Sequence, residues 1–244
     1  MKPYCLEVSG DFACFTRPEM KVERVSYDVI TPSAARAIFE SILWKPAIRW
    51  HVRRIEVLRP IRWINLRRNE VGAVLSVRNA QVVMNGGDAL LALNIEDERQ
   101  QRAGLFLRDV AYRLHADLEL ATPNPKHRGR WHALADRPID KGEVEFEKQP
   151  NNLPKMMSMF ERRAAKGQCV NQPYLGCREF AAHVRWVADP AAEPPPINET
   201  RDLGYMLHDL DFSCPEDPQP RFFRAQMQSG VIDVPAWDGT EVVR

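Results

Sequence analysis

No run of 18 apolar residues occurs in this 244-residue chain, so no transmembrane helix is expected. The opening M-K-P-Y-C-L-E-V holds no apolar signal-peptide core, which makes the cytoplasm the expected location. The five cysteines, Cys5, Cys14, Cys169, Cys177 and Cys214, are odd in number and widely spaced, and no C-x-x-C or ligand-spaced histidine pair accompanies them. That pattern argues against a disulfide framework and a structural zinc site, and no metal or cofactor is expected. Net charge is almost absent at +1. With 44% hydrophobic residues, the chain has enough apolar material for one large core or one core with a smaller addition.

The near-zero charge hides a segregation. Trp44 to Arg68 holds eight Lys or Arg (Lys45, Arg49, Arg53, Arg54, Arg59, Arg62, Arg67, Arg68) against Glu56, with Trp44, Trp50 and Trp63 interleaved. Guanidinium groups grip phosphates and indole faces stack on bases, so this is the composition of a surface for single-stranded nucleic acid. Trp44, at a helix end, is open to either a stacking or a core role. The counterweight is Trp186 to Pro220, with eight acids against Arg201. Phosphate attraction does not distinguish polymers well, so the basic face is also expected to hold double-stranded DNA non-specifically.

Tyr4 to Phe15 reads as a strand. Thr31-Pro32 predicts a helix start, followed by apolar residues at helical spacing from Ala34 to Leu43, and Pro46 stops it. A strand follows, with Ile48, Trp50 and Val52 opposite Arg49, His51 and Arg53; its phase slips at Arg53-Arg54, predicting a β-bulge. Ile61 to Leu66 is expected as a return strand at an edge, and residues 69–105 as an insertion with hairpins. Asp109 to Leu120 alternates cleanly, with Arg113 and His115 on its polar face. Residues 121–152 read as a long loop, about Asn152 to Lys166 as a second helix with Gly167 ending it, and Phe180 to Trp186 as a strand. The order predicts an α+β, ferredoxin-like β-α-β-β-α-β domain over residues 1–189. A proline-rich break then leads to three short strands in a small C-terminal antiparallel β module over 197–244.

Six segments, G-D-F-A-C-F-T-R-P-E-M-K-V-E-R-V-S-Y (10–27), S-I-L-W-K-P (41–46), N-L-R-R-N-E (65–70), F-E-R-R-A-A-K-G-Q-C (160–169), P-Y-L-G-C-R-E-F (173–180) and D-L-G-Y-M-L (202–207), resemble the Cas protein family five of CRISPR type I-C systems. The resemblance spans nearly the whole chain. It implies a ferredoxin-like domain with a C-terminal β-sheet. It also implies a metal-independent endoribonuclease that cuts CRISPR precursor RNA at the repeat hairpin. Such a protein then stays on the 5′ handle of the guide beside the other subunits of the interference complex. The chemistry is attack by the neighbouring 2′-OH, giving a cyclic phosphate.

The chain departs from that family's pattern at two places. The slot before W-K-P holds Leu43 and the Lys-His pair of the second helix reads Lys155-Met156. Both apolar residues suit core packing, and their presence favours a second reading, a non-catalytic RNA clamp of the same complex. Lys155 lies in a first helical turn, where the helix dipole disfavours a cation and a bound phosphate would remove the conflict. The candidate bases are His127, in a second Lys-His pair, and His51. The glycine-bearing loop from Gly167 to Gly176, with Arg162, Arg163 and Arg178, resembles the superfamily's RNA-contacting loop; Gly167 alone also reads as an ordinary helix cap. The expected RNA contacts are Trp44, Lys45, Arg49, Arg53, Arg67, Arg68, Arg162, Arg163, Gly167 and Arg178.

Overall fold

Thr31 starts the first helix as its sequence predicts, accepting a hydrogen bond from the backbone N–H of Ala34 at 3.3 Å. The computed structural model describes residues 3–20, 22–120, 152–214 and 216–243. In chain order the elements are β1 (Tyr4–Ala13), α1 (Pro32–Ile42), β2 (Ile48–Val57), β3 (Trp63–Val71), α2 (Val77–Met84), α3 (Ile95–Glu98), β4 (Arg99–Leu120), α4 (Leu153–Ala165), β5 (His183–Val187), β6 (Arg201–Asp211), β7 (Gln219–Met227) and β8 (Val231–Asp233). The main sheet is antiparallel in the order β5-β1-β4-β2-β8, with β3 also paired to β4, and β6 and β7 form a second sheet.

The core lies between that sheet and the helices α1 and α4. Trp50 sits 4.9 Å from Phe39 of α1 and 4.6 Å from Phe160 of α4, ring centre to ring centre. Leu6, Val8, Leu114 and Ala116 complete the apolar floor. The bulge falls where the sequence slips, between Val52 and Arg54. It keeps Ile55 and Val57 on the same face as Trp50 and Val52, all buried.

Three strand expectations change. β3 is not a return strand: it runs in the direction of β2, and both are antiparallel to β4. β4 begins at Arg99, ten residues before the alternation that advertised it. Its first half, largely within the expected insertion, forms a ribbon with β3; Arg99, Gln100 and Gln101 at its outer end are exposed, whereas Gly104, Phe106 and Leu107 nearer the sheet are buried. Asp109 takes φ 54° between ribbon and sheet, a left-handed conformation that Asp tolerates. The third strand expected in the C-terminal module, β8, instead pairs with Arg54 to Glu56 on the main sheet.

The polar face of β4 also differs. Arg113 and His115 are buried, not solvated. Glu56 of β2 lies between them, 2.6 Å from Arg113 Nη1 and 2.9 Å from His115 Nε2, and Arg113 also donates to the carbonyl of Pro194 at 2.7 Å. The proline-rich segment thus covers this face and supplies a partner for the buried guanidinium. Burial works against the charged Glu56, but His115 and Arg113 outweigh it and hold its carboxyl below the usual range.

Removing one member of such a group leaves an uncompensated buried charge, so Glu56→Ala should cost about 3–5 kcal/mol in urea unfolding. Because the folded value lies below the unfolded one, this stabilisation is complete above about pH 4.3 and is lost as pH falls through the folded value. Wild type should therefore lose more stability than Glu56→Gln on acidification below that point; parallel pH profiles would contradict it.

Candidate nucleic-acid interface

The basic stretch is continuous in sequence but not in space. Arg49, His51 and Arg53 project from β2 away from the helices, where β4 sets carboxylates opposite them. Arg49 pairs across the ladder with Glu119 and His51 with Asp117. Arg53 Nε lies 2.7 Å from Asp117, and His51 Nε2 lies 2.9 Å from Glu119 Oε2 without hydrogen-bond alignment. The face that looked basic therefore carries its own counter-charges. Arg54 and Arg62 are likewise paired, with Asp233 at 3.2 Å and Asp109 at 3.5 Å.

The three tryptophans separate. Trp50 is core, its indole N–H donating to the carbonyl of Leu43 at 2.9 Å at the end of α1. Trp63 is half-buried against the core. Trp44 is 46% exposed, so it is a surface residue rather than core. Lys45 beside it is half-buried.

At the far end of the sheet the picture is different. Arg67 is exposed and has no carboxylate partner among the described residues. Arg68 faces the other way and meets Glu179, which also takes Arg24 at 3.5 Å. Burial raises the cost of charging Glu179, yet a backbone hydrogen bond, Arg68 and Arg24 together hold its carboxyl below the usual range. Glu179 follows Arg178, which is exposed, so this contact joins the β3 arginines to the glycine-bearing loop. Arg68 is opposite Arg102 and His51 opposite Asp117 on the same strand. At roughly 3.3 Å per residue, the two ends are separated by about 50 Å of extended chain.

Asn152 caps α4 by accepting from the backbone N–H of Lys155 at 2.9 Å, which puts Lys155 in the first turn, half-buried. Leu153 lines a shallow groove with His51, Arg53, Asp117 and Glu119. Lys155 lies two residues along α4 from Leu153 and is not among the residues lining this groove. His127 lies outside the described residues. Leu43 and Met156 are core residues, 0% and 1% exposed, with no access to a proton-transfer site.

Arg162 is exposed, whereas Arg163 is committed to the carbonyl of Ile42 at 3.0 Å, tying α4 to α1. Gly167 ends α4 at φ 63°, with open space where a side chain would be. Val170 N–H donates to Ser41 O at 2.7 Å and Cys14 N–H to Leu175 O at 3.0 Å, so both ends of the loop are fastened. Sequence reasoning missed Arg24, Arg102, Asp117 and Glu119. The first lies in a turn and the second in an unpatterned half-strand, while the two acids meet the arginines only through sheet pairing.

The family model described as CRISPR-associated protein (Cas_Cas5), of the Cas5d type, matches residues 4–235. The chain belongs to this family. A protein of Mannheimia succiniciproducens named CRISPR pre-crRNA endoribonuclease Cas5d is 47% identical, over 98% of this chain and 97% of its own. A protein of the same name from Thermus thermophilus is 39% identical, over 98% and 94%. Among solved structures, a crystal structure titled as a CRISPR-associated protein superposes with TM-score 0.63 at 21% identity, over 100% of this chain and 97% of the other. A functionally uncharacterized protein from Streptococcus mutans gives TM-score 0.59 at 20% identity, over 100% and 97%. At those identities the structural likeness speaks for the fold.

The loop's position depends on Gly176, which takes φ 85° and packs directly on the Cys14 carbonyl. Gly176→Ala should destabilise the protein by about 2–4 kcal/mol, from left-handed strain plus the clash, measured by denaturant unfolding. A loss under about half a kcal/mol, the usual range of surface substitutions, would contradict this packing.

Proposed function

We propose that the chain is a metal-independent endoribonuclease that cuts precursor CRISPR RNA at the repeat hairpin and stays on the 5′ handle as a subunit of the type I-C interference complex. The observation that carries this is near-full-length identity of 47% and 39% to two proteins named as pre-crRNA endoribonucleases. The accompanying fold reading is ferredoxin-like. It is supported by the strand order β5-β1-β4-β2 and by α1 and α4 packing on one face, where Phe39 and Phe160 stack at 6.0 Å. In this reading residues 1–189 carry the RNA chemistry, with the ribbon as an insertion, and residues 197–244 form the accessory module. The protein acts in the cytoplasm; among the described residues no helix is long and apolar enough to cross a membrane. Duplex DNA would bind the same arginines through its phosphates.

In the cleavage step the 2′-OH oxygen attacks the adjacent phosphorus, its proton passing to a base while the 5′-oxygen departs and takes a proton from an acid. The candidates for the base are His51 and His127. His51 shares its groove with Leu153, and Glu119 lies beside its ring. A lysine ammonium is a good cation for the phosphorane, the role proposed for Lys155 at the N-terminus of α4. A second reading, an RNA clamp without catalysis, is favoured by the burial of Leu43 and Met156, which removes two of the family's reactive positions.

Incubation of pure protein with labelled repeat RNA in EDTA separates the two. Cleavage should persist and should vanish when a 2′-deoxy nucleotide replaces the one at the scissile bond. Lys155→Ala should slow it on the order of 10²–10³-fold, with binding much less affected. Wild-type rates in that variant would remove Lys155 from the mechanism, and no cleavage by wild type would leave the clamp.

A further inference from the structure

Arg68 and Arg102 occupy directly opposed positions in the antiparallel ribbon. Like charges so placed destabilise a ladder unless something between them compensates. Arg24 enters the same space from the turn before β4's partner segment; its own carbonyl accepts from Leu105 N–H at 2.9 Å. Two carboxylates serve these three guanidinium groups. Glu70 lies 3.7 Å from Arg24, 3.3 Å from Arg68 and 3.8 Å from Arg102, and Glu179 bridges Arg24 and Arg68. Among the described residues, three guanidinium groups against two carboxylates leave one positive charge over.

The arginines are held in place rather than flexible. The Arg68 guanidinium lies 4.9 Å above the Phe106 ring. Gly104, opposite Leu66, has no side chain to displace that ring or the Arg24 backbone. Arg102 Nη2 donates to Gln100 at 2.6 Å and Arg24 Nη1 to Cys177 Sγ at 3.4 Å. Their side chains are 25–34% exposed and that of Glu179 is 45% exposed, so an incoming anion reaches the guanidinium edges by displacing a surface carboxylate.

Resting on the reading of the chain as an RNA-binding protein, we propose that Arg24, Arg68 and Arg102 form a phosphate site for the RNA backbone, occupied in the free protein by the carboxylates of Glu70 and Glu179. A phosphate oxygen set supplies the missing negative charge and takes planar, forked donors in a bidentate way. Glu179 then acts as a built-in competitor. Its displacement links RNA binding to the glycine-bearing loop that it anchors beside Arg178.

The test is fluorescence anisotropy of a single-stranded repeat RNA across a salt series, using the full chain. Arg24→Gln and Arg102→Gln should weaken binding and lower the slope of log affinity against log salt by about 0.7 each. Arg102→Lys, which keeps the charge, should retain the slope. Glu179→Gln should tighten binding several-fold at fixed salt. The opposite sign of the glutamate and arginine variants is the signature, because loss of a merely structural network would weaken or leave unchanged all of them. If wild type binds with a salt-dependent slope and the arginine variants share it, the site is wrong while RNA binding stands. If wild type shows no salt-dependent binding, the RNA reading fails and the site fails with it.

Discussion

The arrangement of this protein depends on one strand. β4 runs for 22 residues, and every strand of the main sheet except β5 and β8 pairs with it directly. Its second half lies between β1 and β2 over the core; its first half leaves the core as a ribbon with β3. Backbone pairing with β1, β2 and β3 fixes the register along that strand, which is interrupted once by the left-handed Asp109. The groove holding His51 and the arginine cluster at Arg68 therefore sit at fixed and widely separated stations along it. A chain of nucleotides in contact with both would have to run along the sheet rather than across a compact pocket.

Pairing also decides which charges remain available. A single strand presents its arginines by alternation, but an antiparallel partner presents its own residues on the same face. Opposite β2 those residues are Asp117 and Glu119, and the positive charge is largely spent within the ladder. Opposite β3 the partner residue is another arginine, and positive charge accumulates. The acidic C-terminal run follows the same logic: Asp209 pairs with Arg36 at 2.8 Å and Asp202 with Arg224 at 2.6 Å, so it does not face the Trp44 to Arg68 stretch as a block.

Local signals in the sequence were reliable where local physics decides. The Thr31-Pro32 cap, the bulge near Arg53-Arg54 and the second helix from about Asn152 with its Gly167 end each follow from hydrogen bonding, periodicity or backbone freedom within a few residues. The motifs from Gly10 to Leu207 placed the chain in its family. What stayed hidden was non-local. The alternation puts Arg113 and His115 on the polar side of β4, and Glu56 and Pro194, which make their burial tolerable, are far away in sequence. The outer end of the ribbon half of β4, Arg99 to Gln101, is exposed and creates no pattern, and the arginine surplus at Arg24, Arg68 and Arg102 exists only once three distant segments meet.

The central claim is that RNA phosphates are taken up at the ribbon end, where arginines outnumber carboxylates, and not only on β2, where the sequence is most basic. Hydrogen–deuterium exchange of the full chain, with and without saturating repeat RNA, tests this most directly. The account predicts slowed exchange in peptides covering residues 22–26, 66–70, 101–104 and 176–180. Unchanged exchange in all of these with RNA bound, and protection confined to residues 49–53 and 117–119, would contradict it.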